Sequence, residues 1–159
     1  MLENMLAVAL CDFIREAVSG LRYEMPGGGF RSPMVYNGFL PSKRDARDDF
    51  PFVCVLPVKG STDDDRTEIE VRLELGAYSE EFSGYADVMA IMARIRNALI
   101  MLPDRTLAGR FRLAGALSWT LDDEQPYPSW LLTITTTWEA YSPEVVLSNE
   151  AEVYGYFKD

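Results

Sequence analysis

Between Glu3 and Ser19 apolar residues return every three or four positions, and this spacing predicts an amphipathic helix with a wide buried face. One stripe runs Leu6, Leu10, Phe13 and Ala17, and a second runs Ala7, Cys11, Ile14 and Val18. Asp12, Arg15, Glu16 and Ser19 fill the polar side, and Gly20 supplies a stop. From Met25 to Asp49 the periodicity is lost among Pro26, Gly27, Gly28, Gly29, Pro33, Gly38 and Pro41. This stretch reads as an irregular loop with one short strand near Val35.

Phe50 to Val58 reads as a largely buried strand, with Pro51 and Pro57 near its ends, where a missing ladder donor is tolerated. Gly60 to Asp65 reads as a polar turn. After it Ile69, Val71, Leu73 and Leu75 alternate with Glu68, Glu70, Arg72 and Glu74, which predicts a half-buried strand over Thr67 to Ala77. Its outer face carries three carboxylates that repel unless basic groups lie opposite, and Arg72 is the local counter-charge.

A second helix is expected from Ser83 as its cap, burying Tyr85, Val88, Met92, Ile95, Leu99 and Leu102 and ending at Pro103. Arg110 to Leu121 and Trp130 to Tyr141 read as an antiparallel strand pair joined by the turn at Asp122 to Pro126. Trp130, Leu132, Ile134, Thr136 and Trp138 share one face. Ser142-Pro143 closes the compact part. Beyond it Val145, Val146, Leu147, Val153, Tyr154, Tyr156 and Phe157 persist in an acidic arm, and so many apolar residues imply that the arm docks on a protein surface.

The expected architecture is one α+β domain over 1–142, with a mixed, mostly antiparallel sheet, a long helix across one face, an N-terminal helix beside it and an arm over 143–159. At 159 residues there is room for a single ordinary core, and 48% hydrophobic with 25% charged residues is a globular composition. The formal charge of −10 argues against tight DNA binding, which needs clustered Lys and Arg. It does suit a surface that DNA must pass without adhering, because like charge keeps the duplex away from the wall. The amino terminus lacks a basic leader and its apolar run stops at Asp12, so neither a signal peptide nor a membrane span is expected.

The chain has no histidine, which removes the commonest general base and metal ligand and excludes Ser-His-Asp and Cys-His chemistry. Cys11 and Cys54 are in different elements, without CxxC spacing, and read as reduced core thiols in a cytosolic setting. The Asp63-Asp64-Asp65 and Asp122-Asp123-Glu124 runs sit in turn sequences with no apolar neighbours to raise a carboxyl pKa, so solvated turns are favoured over acid-base catalysis. The first run lacks the glycine and terminal glutamate of a calcium loop. Gly27-Gly28-Gly29 is followed by Phe30-Arg31-Ser32-Pro33 and is a turn, not a phosphate loop. Arg94, Arg96, Arg110 and Arg112 read as ion-pair partners more readily than as nucleic-acid contacts. No catalytic, cofactor or metal residue is assigned.

The order of packing marks is more telling: Asp49-Phe50-Pro51-Phe52-Val53, the alternating strand at Thr67 to Ala77, Gly84-Tyr85-x-Asp87-Val88 opening a helix through Ile95-Arg96, Pro126-Tyr127-Pro128-Ser129-Trp130, and Trp138-Glu139. That order resembles the tail terminator (tail completion) proteins of long-tailed bacteriophages and prophages, over somewhat more than half of the chain. The resemblance implies a structural protein, not an enzyme. It would form a six-fold ring that caps the tail tube, stops its polymerisation and offers the head-attachment surface. The implied partners are other copies of itself, the tail tube protein and a head-tail connector or stopper, with DNA passing through unbound and no cofactor. The implied location is the host cytoplasm during assembly and then the virion tail.

A ring needs heterologous contacts, one patch meeting a different patch on the next subunit. Two regions suit that need: the hairpin region with Asp63, Asp64, Asp65, Glu68 and Glu70, its acidic residues facing the lumen, and the arm with Val153, Tyr154, Tyr156 and Phe157. The nearest competing reading is a head-to-tail stopper or adaptor. A different class is a small cytosolic binding module with an apolar groove, and an enzyme ranks last.

Overall fold

The computed structural model describes residues 1–41 and 49–141. In chain order these form helix α1 (Leu2–Val18), strands β1 (Tyr23–Glu24), β2 (Phe30–Arg31), β3 (Met34–Asn37), β4 (Phe52–Thr62) and β5 (Arg66–Tyr78), and helix α2 (Tyr85–Ile100). A 3-10 turn at Pro103–Arg105 follows, then β6 (Thr106–Leu107), β7 (Phe111–Leu121) and β8 (Ser129–Tyr141). Six strands make one mixed sheet in the order β3-β4-β5-β8-β7-β6, and β1 and β2 form a separate two-stranded hairpin. β3 runs parallel to β4, and the other neighbours are antiparallel. The fold class is therefore α+β.

The period-two pattern of β5 sets its two faces. Thr67, Ile69, Val71, Leu73, Leu75 and Ala77 are buried, while Glu68, Glu70 and Glu74 are half-buried and Arg72 is exposed. Cross-strand register continues this across β8: Ile69 lies opposite Trp138, Leu73 opposite Ile134 and Leu75 opposite Leu132. The buried stripe of α1, from Leu2 through Leu6, Ala7, Leu10, Cys11 and Ile14 to Val18, joins these side chains in one core with Val88, Ile91, Met92, Ile95 and Leu99 of α2. Thr136 is a polar member of that face and is satisfied there. Its hydroxyl donates to the Val71 carbonyl at 2.9 Å and accepts from Trp138 Nε1 at 2.8 Å.

β4 explains why its first half lacks alternation. Val53 and Val55 enter the main core, whereas Phe50, Phe52, Cys54 and Leu56 form a second buried cluster, with Tyr36, Leu40, Tyr78 and Leu131 packed against it. Phe50 and Phe52 meet edge to face, 4.9 Å between centroids. Gly76 makes room on β5, since a β-carbon there would overlap the Phe52 ring. β3 reaches only as far as Val55 along this strand, so Pro57 sits where no neighbour needs its missing N–H. Past Leu56 every residue of β4 is exposed.

Several expectations are corrected. Gly60, Ser61 and Thr62 are strand, not turn, because they continue to pair with Ile69, Glu68 and Thr67 after a bulge between Pro57 and Lys59. The turn narrows to the three aspartates, closed by the Asp63 N–H donating to the Arg66 carbonyl at 2.8 Å. Ser83 does not cap α2 with its side chain. Gly84 is the N-cap, Tyr85 is 48% exposed, and the helix stops at Ile100, before Pro103. The glycine-rich stretch also holds the β1–β2 hairpin, with Gly27, Gly28 and Gly29 all at positive φ in its tip. The expected arm over 143–159 lies outside the described residues.

Candidate functional site

The hairpin of β4 and β5 extends beyond the reach of β3 and carries Asp63, Asp64 and Asp65 at its tip, all exposed. Glu68 and Glu70 follow on the outer face of β5, away from the core, so the structure brings the five predicted acidic residues to one end of one hairpin. Val153, Tyr154, Tyr156 and Phe157 lie outside the described residues.

β8 adds a fourth carboxylate to that face, and it is this one that the neighbouring arginines hold. Glu139 of β8, opposite Glu68 and Arg112 in register, is bridged by Arg66 at 3.2 Å and faces Arg112 at 4.0 Å. Lys59 lies opposite Glu70. Long-range register supplies these partners, and inspection of β5 by itself misses them. Of the four arginines read as ion-pair partners, Arg112 alone has a carboxylate within reach among the described residues. Arg96 turns to Asn97 and the Met92 sulfur, and Arg110 lies 6.0 Å from the Phe111 ring centroid and near the Met5 sulfur.

A hollow of about 420 Å³ lies on the opposite side of the sheet from the main core, floored by Phe50, Phe52 and Leu131, with Glu74 and Asp122 beside it. The continuous apolar run at Phe50 to Val58 was its sequence signal, because a strand without alternation must be covered on both faces. Among the described residues no group of three or more metal-ligating side chains converges. No helix among these residues is long and apolar enough to cross a membrane.

Both cysteines are free and buried. Burial, reinforced by the Glu74 and Asp49 carboxylates, pushes the Cys54 thiol up to about 12, and burial also raises Cys11 against the pull of Arg15. Both are therefore expected to resist a thiol reagent near pH 8 in the native protein and to react once it is denatured. A native-state reaction as fast as in denaturant would contradict the burial. A raised thiol pKa favours the neutral form in the fold. Its stabilising effect is complete below the unfolded value of 9.0 and is lost as pH rises towards about 12.

No protein-family model and no curated protein matches this sequence. What the structure offers at the candidate site is an acidic hairpin tip that extends past β3.

Proposed function

We propose that this chain is the tail terminator of a long-tailed phage or prophage, a ring subunit, six to the ring, that caps the tail tube, halts its growth and presents the surface to which the head attaches. The observation that carries the reading is that the marks shared with that family fall at structural joints of one scaffold. Phe50-Pro51-Phe52-Val53 leads into β4, Gly84-Tyr85-x-Asp87-Val88 opens α2, and Trp130 to Glu139 spans β8. In this reading α2 lies across the core face of the sheet as its backing, and the protein is an assembly component with no catalytic step or cofactor. Its partners are its own copies, the tail tube protein and a head-tail connector or stopper.

The aspartates at the hairpin tip would face the lumen, where a chain of net charge −10 repels passing DNA without holding it. The arm after Pro143, with Val153, Tyr154, Tyr156 and Phe157, would cross to the adjoining subunit. Protein made in the host cytoplasm would end in the virion tail.

Electron microscopy of particles made with the gene intact and deleted tests the assignment. Overlong tubes without heads are expected on deletion. Tubes of normal length that fail to join heads would move the protein to the stopper or adaptor class, and normal particles would end the virion reading. Reversing Asp63, Asp64 and Asp65 to lysine is expected to slow or trap DNA, and unchanged infectivity would take them out of the lumen. The hollow over Phe50 and Phe52 favours one further reading, a small-molecule binding module. A compound carried through purification and seen by native mass spectrometry would support it.

A further inference from the structure

We infer that the surface around Glu80 is a docking site for an arginine side chain of a partner protein. Two tyrosines fix this residue from both ends. Tyr78 donates its hydroxyl to Glu80 Oε1 at 3.1 Å, and Tyr127 donates its hydroxyl to the Glu80 carbonyl at 2.7 Å. The Phe82 ring is stacked on Tyr127, 5.8 Å between centroids and 24° between planes, although Phe82 is 88% exposed. Tyr127 in turn meets Trp130 edge-on at 6.2 Å, and the Trp130 indole is anchored by donating Nε1–H to the Ser79 carbonyl at 2.9 Å. The exposed rings thus rest against a buried one.

A hollow of about 430 Å³ is lined by Glu80 itself, with Glu24, Tyr78 and the Gly27 to Gly29 turn. Among the described residues neither Glu24 nor Glu80 is in an ion pair. A planar cation that stacks on an aromatic face while donating to a carboxylate matches this arrangement, and guanidinium does both. An ammonium would use the charge but not the flat ring. Charge complementarity also selects the occupant. Glu24 and Glu80 make this surface locally acidic, and a basic segment of another protein is drawn to it. The inference stands apart from the tail reading, because it uses none of the hairpin or arm residues.

The test is a nuclear magnetic resonance titration of the full chain with acetyl-Gly-Arg-Gly-amide and with its lysine and citrulline analogues. Saturable shifts at Glu80, Phe82, Tyr127 and the Trp130 indole are expected with arginine, weaker ones with lysine, and none with uncharged citrulline. Phe82→Ala and Glu80→Gln should each weaken arginine binding by about two- to thirtyfold, the range of a cation held over a ring. Both side chains are exposed, so the variants should keep the wild-type spectrum elsewhere. Absence of saturable shifts, equal binding of citrulline, or unchanged binding by Phe82→Ala would each overturn the proposal. So would Phe82-dependent self-association in sedimentation, which would make the occupant a second copy.

Discussion

Replacing Trp138 with alanine is expected to remove about 3–5 kcal/mol of folding stability, the usual cost of emptying a large aromatic site that cannot collapse. Trp138 heads the fully buried side chains, at 0% exposure, and sits opposite both Ile69 and Leu113 on the shared face of β5, β8 and β7. Total stabilities of about 5–15 kcal/mol are usual for a domain, so this one change should lower the melting temperature by about 6–20 °C. Trp138→Phe separates volume from hydrogen bonding. It keeps much of the packing and loses the Nε1 donation to Thr136, whose hydroxyl still reaches the Val71 carbonyl. Thr136→Val does the reverse, leaving the buried indole N–H without its acceptor at a cost of about 1–3 kcal/mol. Urea melts of the three variants check the order, and a loss under about 1 kcal/mol for Trp138→Ala would show that the site refills.

Gly84→Val is expected to destabilise by about 1–3 kcal/mol, through overpacking and not through backbone strain. The residue has φ −60 and ψ −23, open to any amino acid, so its need for glycine is spatial. A β-carbon would collide with Trp130 Nε1 and come within 2.8 Å of the Ser79 β-carbon. The indole would have to leave the Ser79 carbonyl to make room, loosening the start of α2 and the start of β8 together. Gly20→Ala is the control: nothing lies within 4 Å of its added methyl, and a change within about 0.5 kcal/mol is expected. Thermal melts that put the two glycine variants at the same midpoint would refute the close-contact account.

Where packing is periodic, the chain announced its structure. The α1 stripe Ala7, Cys11, Ile14 and Val18, the alternation of β5 and the inward row Trp130 to Trp138 each follow from spacing alone, because one apolar face must be hidden, whereas Phe13 and Ala17 of the other α1 stripe are only half-buried. What depends on register was not legible. The bulge after Pro57 turns an expected polar loop into paired strand, and Arg66 and Arg112 reach Glu139 only because β5, β8 and β7 are neighbours in the sheet. Glycine was ambiguous for the same reason. Gly76 and Gly84 are required by ring systems, Phe52 and Trp130, that lie far away in sequence. The candidate hairpin was visible as a run of acids, but its projection past β3 is a property of strand lengths. Glu80 went unnoticed because its chemistry comes from three aromatic residues in two separate segments.

The irregularity in β7 has a consequence for how this molecule survives before it meets any partner. Ala114 pairs with Thr137 and Ser118 with Thr135, so three residues of β7 span the place of one on β8. Gly115 turns there at φ 64, with its carbonyl taken by Arg105 at 2.9 Å. β6 covers only Phe111 and Arg112, which leaves most of β7 as an outer border. A long, flat border of that kind would template fibrils by adding strand upon strand. With its register broken at Gly115 and one acceptor already engaged, this border is expected to be a poor seed, and Gly115→Val, which disfavours the positive φ there, is expected to raise fibril formation.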